Sequence, residues 1–324
     1  MVLTWGLLGC GDIARKRVAE AILAQPNCRL LAACRRNESE LGRFCEQFKI
    51  EHAYACDSDL LQDADVQAVY VATPVALHCP QTIAAARAGK HVLVEKPMAL
   101  SVAECEQMIA ACAKAGISLG VAYYRTFYPA VGRIKQLVAE GAIGRVLNVQ
   151  ATAETLLPRP LAGQRPWRLA RAQAGGGPLM DIGSHRIQLF LELFGPVAKI
   201  KSICSPATGN DEVENRAVIV LRFQNGIIGS LICSFADSGY IDEFRVIGTQ
   251  GRLEVSPLNS GRLIVVKEGL ERIENHPPAA NLHEPLIADF VAAIQETRRP
   301  RVSGEDGRDV NQVIEQAYEA AGRL

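Results

Sequence analysis

The chain opens with an apolar run, Leu3-Thr4-Trp5-Gly6-Leu7-Leu8, that breaks at once into Gly9-Cys10-Gly11-Asp12-Ile13-Ala14. No other stretch restricts the fold as strongly. A helix-like segment follows, with Ile13, Val18, Ala21 and Ile22 on one face. Strand, glycine turn and helix in that order build a cradle for a dinucleotide pyrophosphate. Gly9 permits the turn, and Gly11 lets backbone approach the phosphates. The first helical N–H groups, at Asp12 and Ile13, then point at the anion with the positive end of the helix dipole behind them. Ala14 replaces the third glycine of this pattern and is small enough for close helix–strand packing.

The alternation continues over the first third. Leu30 to Cys34 reads as a short strand, and Glu38 to Phe48 as a helix with Leu41, Phe44, Cys45 and Phe48 on one face. Ala68 to Ala72 is apolar on both faces, as buried parallel strands are. Pro80 begins a helix that Gly89 ends, His91 to Val94 is the next strand, and Ser101-x-x-Glu104 caps a helix closed by Gly116. Ser118 to Ala122 completes the set. Strands alternating with helices imply right-handed crossovers and a doubly wound parallel sheet.

After Tyr123 the rhythm changes. A helix from Pro129 to Glu140 leads into Leu147, Val149, Ala151 and Ala153, which alternate with Asn148, Gln150, Thr152 and Glu154. That period of two is a strand with one wet face. Arg216 to Phe223 and Ile227 to Phe235 flank an Asn225-Gly226 turn, a hairpin signal. Phe244 to Ile247 and Arg252 to Val255 form another pair, and helices over Pro285 to Arg298 and Arg308 to Arg323 close the chain. The expected fold class is α/β plus α+β. A Rossmann-type dinucleotide-binding domain covers 1–122, with the segment of about 304–324 a candidate to pack back on it. A mostly antiparallel substrate and oligomerisation domain with flanking helices covers 123–303.

Bulk properties exclude several classes. Lys plus Arg equals Asp plus Glu at 35 each, so nothing marks a nucleic-acid or anionic-membrane partner. No apolar run approaches the roughly 20 residues that cross a bilayer. The start lacks the basic and long apolar regions of a signal peptide. The 10 cysteines form no C-x-x-C pair and no Cys/His cluster with zinc spacing, so no metal is expected and reduced thiols in the cytoplasm are.

In an open α/β sheet, ligands bind beyond the carboxyl ends of the strands. Strand two ends in Cys34-Arg35-Arg36-Asn37, with no carboxylate until Glu38. Two arginines where NAD's ribose would meet an acid favour a 2′-phosphate, hence NADP(H) over NAD(H). Thr73, Pro74 and His78 follow strand four, and Glu95-Lys96-Pro97 follows strand five. Lys96 ends a wholly apolar strand, and Pro97 stiffens the turn after it. A lysine there can take a proton from an alcohol as hydride leaves, or give one to a carbonyl as hydride arrives. The positive charge of an oxidised nicotinamide and partial burial both favour its neutral form.

Three segments together resemble the glucose-fructose oxidoreductase / inositol dehydrogenase / rhizopine catabolism (Gfo/Idh/MocA) family. They are Gly9-x-Gly11-x-x-Ala14, Ala88-Gly89-Lys90-His91-Val92-Leu93-Val94-Glu95-Lys96-Pro97, and Gly175-Gly176-Gly177-Pro178-Leu179-Met180-Asp181-Ile182-Gly183-Ser184-His185. Order and spacing match over almost the full length. The resemblance implies that Lys96 is the catalytic acid/base, that Asp181 and His185 form its partner pair, and that the Lys96–Pro97 peptide is cis, as it often is in that family. It also implies a sugar, polyol or related cyclic alcohol as substrate. From the residues alone, Asp181 and His185 lie four apart and share one helix face. His185 can hydrogen-bond a reacting oxygen, and Asp181 can orient the substrate or hold a charge on His185. Where the family often has an aspartate three residues past the histidine, this chain has Gln188, which puts transfer of any particular polyol in doubt.

From Leu156 to Ala174 there is no acid, but Arg159, Arg165, Arg168 and Arg171 surround Trp167. Such a loop can close over the cofactor or an anionic substrate. Trp167 and Arg168 resemble a family segment near the nicotinamide, and Arg125, with Tyr123, is a further cofactor or substrate candidate. The alternatives are a fold-mate that senses NAD(P) without chemistry and an NAD-dependent glycosidase. Retention of Lys96 and His185 argues against the first, and the basic turn after strand two against the second. Relatives of this kind often pair through the second-domain sheet, which implies a homodimer or homotetramer.

Overall fold

A computed structural model describes residues 2–156, 166–207, 212–236 and 239–323, with nothing said of the side chain of residue 236. The chain divides into two units, Met1–Tyr124 with Ala279–Asp309, and Arg125–Pro278 with Val310–Leu324.

In the first unit, β1 (Leu3–Leu8), β2 (Cys28–Cys34), β3 (His52–Tyr54), β4 (Ala68–Val71), β5 (His91–Val94) and β6 (Leu119–Val121) form one parallel sheet. The order is β3-β2-β1-β4-β5-β6, the arrangement of a dinucleotide-binding Rossmann sheet. The central strands are buried on both faces, as their unbroken apolar sequences require. The helices of this half are α1 (Ala19–Leu23), α2 (Glu38–Phe48), α3 (Asp57–Gln62), α4 (His78–Arg87) and α5 (Val102–Ala115). The Ser101 hydroxyl accepts from the Glu104 N–H at the start of α5, and Gly116 ends it at φ +67°. The segment before α1 is π-helical over Ala14–Val18.

The second unit carries α6 (Pro129–Ala139), α7 (Arg171–Ala174) and α8 (Ser184–Phe194) on an eight-stranded sheet. Its strands are β7 (Val146–Leu156), β8 (Val197–Cys204), β9 (Arg216–Phe223), β10 (Ile228–Ala236), β11 (Ile241–Gly248), β12 (Gly251–Val255), β13 (Arg262–Lys267) and β14 (Leu270–Asn275). The order is β14-β13-β12-β11-β7-β10-β9-β8. Every pair is antiparallel except β10 with β7. Burial alternates strictly along β9, with Ala217, Ile219, Leu221 and Phe223 inward, and Phe223 packs against Phe190 and Phe194 of α8.

The two units are not consecutive stretches of chain. Helix α9 (Glu284–Gln295) groups with the first unit, although it lies within the expected second domain. The physical reason is aromatic packing. Phe290 meets Trp5 of β1 at 5.7 Å between ring centres, and a Cβ on Gly120 would lie 2.8 Å from the Phe290 ring. Helix α10 (Gly304–Ala320) divides at Asp309/Val310, so only its first turns join the parallel sheet. Gly304 is close against Leu119, and Gly307 against Val121 and Met98.

Candidate active site

The glycine turn is built as the cradle requires. Gly9 has φ +95°, and a Cβ there would lie 2.8 Å from the Ala72 carbonyl oxygen. Both backbone freedom and lack of bulk are needed at this position. A Cβ at Gly11 would meet nothing within 4 Å, so the backbone there stands clear for a close ligand. Asp12 points to solvent and pairs with Lys16 at 3.1 Å. Ile13 is half-buried and Ala14 fully buried, which explains why a small residue replaces the third glycine. Burial pushes the Cys10 thiol up to about 12, so it is no nucleophile. These residues fit a dinucleotide pyrophosphate.

Beyond β2 the two arginines differ. The Arg35 guanidinium donates to the Cys10 carbonyl and lies 3.8 Å from Glu40, tied to the glycine turn. Arg36 is exposed. Asn37 caps α2 by accepting from the Glu40 N–H at 2.9 Å.

Beyond β4 and β5, one histidine joins two loops. His78 Nε2 lies 2.9 Å from the Thr73 carbonyl oxygen, and Nδ1 lies 3.0 Å from that of Pro97. The ring is 1 % exposed, and burial pushes its pKa down despite both contacts. His78 is thus a strut with both ring nitrogens turned to protein. Thr73 donates to Gln81 at 2.6 Å, and Pro74 begins the short turn Val75–Leu77. The Lys96–Pro97 peptide is cis.

Glu95 is buried beside the half-buried Lys96. The Tyr70 hydroxyl donates to Glu95 Oε1 at 2.8 Å, and the Lys96 N–H donates to Oε2 at 3.1 Å. His283 Nε2 lies 3.5 Å from Oε1, and the His283 ring stacks on Tyr124 at 4.7 Å. Arg17 in turn lies over Tyr124 at 5.3 Å. Burial alone would raise the Glu95 carboxyl. The contact with His283, the charge of Lys96 and the Tyr70 bond outweigh it and hold the pKa below the usual range.

In the second unit, Asp181 lies in a π-helical turn, Leu179–Gly183, that runs into α8, where His185 is buried. Such single π turns are frequent at functional sites. Arg168 Nε is 3.5 Å from Asp181 Oδ2, and Arg168 lies over the Trp167 ring at 4.7 Å. The structure therefore joins Trp167, Arg168 and Asp181 in one chain of contacts. Arg159 and Arg165 lie outside the described residues. The Arg171 N–H donates to Glu212 at 3.0 Å, and its guanidinium donates to the Arg323 carbonyl at 3.0 Å.

Arg125 sits in a buried ionic cluster. It contacts Asp242 at 2.9 Å, and Arg186 pairs with the other oxygen of the same carboxylate. The Tyr240 hydroxyl donates to Asp242 at 2.8 Å. Burial pushes the Asp242 carboxyl up, and the charges of Arg186 and then Arg125 bring it below its ordinary value. Gln188 is also buried. It lies 2.8 Å from the Thr126 hydroxyl and donates to Glu192 at 3.2 Å. Asp242, Arg186 and His283 were not singled out from sequence. Their partners are distant along the chain, 117 residues for Arg125 and Asp242.

Family models match both halves of the chain. The model described as "Oxidoreductase family, NAD-binding Rossmann fold" matches residues 3–123, and the "GFO/IDH/MocA C-terminal domain" matches residues 131–254. The chain is 33 % identical over 310 residues to a 1,5-anhydro-D-fructose reductase of Ensifer adhaerens, across 94 % of this chain and 91 % of that one. The solved aldose-aldose oxidoreductase of Caulobacter crescentus, complexed with glycerol, superposes with a TM-score of 0.91 at 32 % identity. That match covers 99 % of this chain and 98 % of the other. A levoglucosan dehydrogenase in complex with NADH superposes with a TM-score of 0.92 at 26 % identity, covering 100 % and 98 %.

Proposed function

This chain belongs to the Gfo/Idh/MocA family of oxidoreductases, and we propose that it moves a hydride between NADP(H) and a secondary alcohol or carbonyl of a sugar, polyol or cyclic diol. When bound, the nicotinamide would supply or accept the hydride. Lys96 Nζ takes the hydroxyl proton in oxidation and returns one to the carbonyl oxygen in reduction. His185 hydrogen-bonds the same oxygen, and Asp181 orients the substrate. The observation that carries the reading is the position of Lys96. It lies just beyond β5, its backbone N–H is fixed by a buried carboxylate, and the same parallel sheet carries, after β1, the glycine turn that fits a pyrophosphate.

Arg36, exposed where NAD would meet an acid, supports the phosphate-bearing cofactor. Thr73, Pro74, Arg125, Trp167 and Arg168 complete the proposed binding set, with His78 and Glu95 acting through the loops they hold. The reading takes the parallel-sheet unit as the cofactor domain and the other as the substrate domain. It places the enzyme in the cytoplasm, where its free thiols stay reduced.

The outer face of the second sheet supports a homo-oligomer. Ile203, Val218, Val220, Ile228 and Ile232 are all more than 40 % exposed. Ile203, Val218 and Ile232 stand opposite one another across β8, β9 and β10, while Val220 faces Lys201 and Ser230, and Ile228 faces Arg222. An exposed apolar row with a polar rim of this kind supports an interface.

The test is a spectrophotometric screen of NADPH and NADH with 1,5-anhydro-D-fructose, and of NADP and NAD with D-glucose, D-xylose and levoglucosan. Lys96→Ala runs in parallel. Turnover with NADP(H) that Lys96→Ala removes supports the reading, and turnover that survives it overturns the role of Lys96.

A further inference from the structure

We propose that Glu214 and Tyr318 form a latch that fixes the segment carrying Asp181 and His185, and so act as positioning residues for the reaction. The inference rests on the reading of that pair as assistants to Lys96.

The latch lies wholly within the second unit. Glu214 precedes β9 and is 2 % exposed. Its Oε2 accepts from the Gly177 N–H at 3.1 Å, and its Oε1 accepts from the Leu179 N–H at 3.4 Å. The Tyr318 hydroxyl, at the end of α10, donates to Oε1 at 2.8 Å. The Asp181 N–H then donates to the Gly177 carbonyl at 3.0 Å, and the Ser184 hydroxyl to the Asp181 carbonyl at 2.9 Å. Glu214 thus binds the backbone at the start of the π turn, and that turn leads directly to His185.

Two features show that this arrangement is specific. The Gly177 and Leu179 N–H groups, the Tyr318 hydroxyl and the Arg323 guanidinium, 4.0 Å from Oε2, are all donors, which suits a carboxylate and not an amide. The glycines also leave no room for side chains. A Cβ on Gly176 would lie 2.0 Å from the Tyr318 hydroxyl, and one on Gly177 would lie 1.9 Å from the Glu214 carbonyl oxygen. The run Gly175-Gly176-Gly177 is therefore shaped around the latch, and not only around a turn. Burial, then the Glu214 charge, pushes the Tyr318 hydroxyl well above its usual pKa, so it stays a donor.

The test uses Glu214→Gln and, as the milder variant, Tyr318→Phe in the full chain. Hydrogen–deuterium exchange is followed in the peptide 175–185, with the β9 peptide 216–223 as control. Both variants are expected to speed exchange in 175–185 about tenfold, the scale of one lost charge-assisted hydrogen bond, while β9 is unchanged. Turnover is then measured with the pair of substrates found by the screen. The kcat is expected to fall about tenfold while the cofactor KM stays within about twofold, the pattern of lost positioning.

Unchanged exchange in 175–185, or equal acceleration in β9, overturns the latch. Accelerated exchange with wild-type kcat, in a protein that Lys96→Ala inactivates, overturns its part in the reaction while leaving the proposed function intact. If Lys96→Ala retains activity, the role of Lys96 fails, and the exchange result alone decides whether Glu214 and Tyr318 hold the segment.

Discussion

The Tyr70 hydroxyl donates to the Glu95 carboxylate at 2.8 Å, and both residues are buried, Glu95 just beyond the end of β5. The other carboxylate oxygen holds the Lys96 backbone. Removing the hydroxyl leaves a buried charge with one fewer donor. Tyr70→Phe is expected to destabilise the first unit by about 2 kcal/mol, the scale for a hydrogen bond to a charged group. Urea unfolding followed through Trp5, in a Trp167→Phe background, measures it. A loss under about 0.5 kcal/mol would show that His283 and the backbone alone satisfy Glu95.

Replacement of Lys96 tests the proton transfer separately from binding. Lys96→Ala is expected to lower kcat at least about 100-fold, the scale of lost general acid/base catalysis. NADPH affinity, measured by fluorescence titration, is expected to stay within about threefold, since phosphate contacts lie elsewhere. Lys96→Arg should not restore turnover, because a guanidinium does not release its proton.

The local structure around the candidate residues was legible in the sequence. The Gly9–Gly11 turn, the end of β5 and the spacing of Asp181 and His185 are local signals, set by a few neighbouring residues. Helix α2 and strand β5 have the bounds their periodicity predicts. What was hidden is what folding brings together from afar. Asp242 falls just before the strand expected from Phe244, yet it lies within β11 and receives Arg125 and Arg186. Glu214 looks like a loop acid, and only the fold sets it under the glycine run. Phe290 lies far along the chain from Trp5, so the grouping of α9 with the first unit left no mark on composition or periodicity. His78 could be placed near the cofactor loops, but the orientation of its ring could not be read from its position.

The Asp242 cluster sets a pH dependence. Its carboxyl titrates lower in the folded chain than in the unfolded one. The stability it contributes is therefore complete above the unfolded value of about 3.9 and is lost as pH falls through the depressed folded value. Asp242→Asn is expected to cost about 3 kcal/mol at pH 7, as breaking a buried ion pair does. The gap between variant and wild type in urea midpoint should narrow as pH falls below about 4. A gap independent of pH would mean that packing, and not the charge, is what the substitution removes.

The two arginines beyond β2 should not contribute equally to cofactor choice. Arg35 is committed to the Cys10 carbonyl and Glu40, whereas Arg36 is exposed. Arg36→Ala is expected to weaken NADPH binding about tenfold and leave NADH binding nearly unchanged, the loss of one charged contact to phosphate. Arg35→Ala should weaken both cofactors, because it loosens the glycine turn they share. Isothermal titration with each cofactor separates the two effects. Equal NADPH and NADH losses in Arg36→Ala would remove the phosphate assignment.

The apolar sheet face gives a prediction that does not depend on the chemistry. Val218 and Ile232 face each other across β9 and β10, and Val220 and Ile203 flank them on the same side. A charge placed among them has no partner and resists desolvation when two such faces meet. Val218→Glu with Ile232→Glu should therefore convert the proposed oligomer to a monomer in light-scattering measurements. Far-UV circular dichroism should stay unchanged, because both side chains point away from the core that Ile219, Leu221 and Phe223 form. A wild-type protein that is already monomeric at micromolar concentration would instead show that this face serves another partner or is covered in another way.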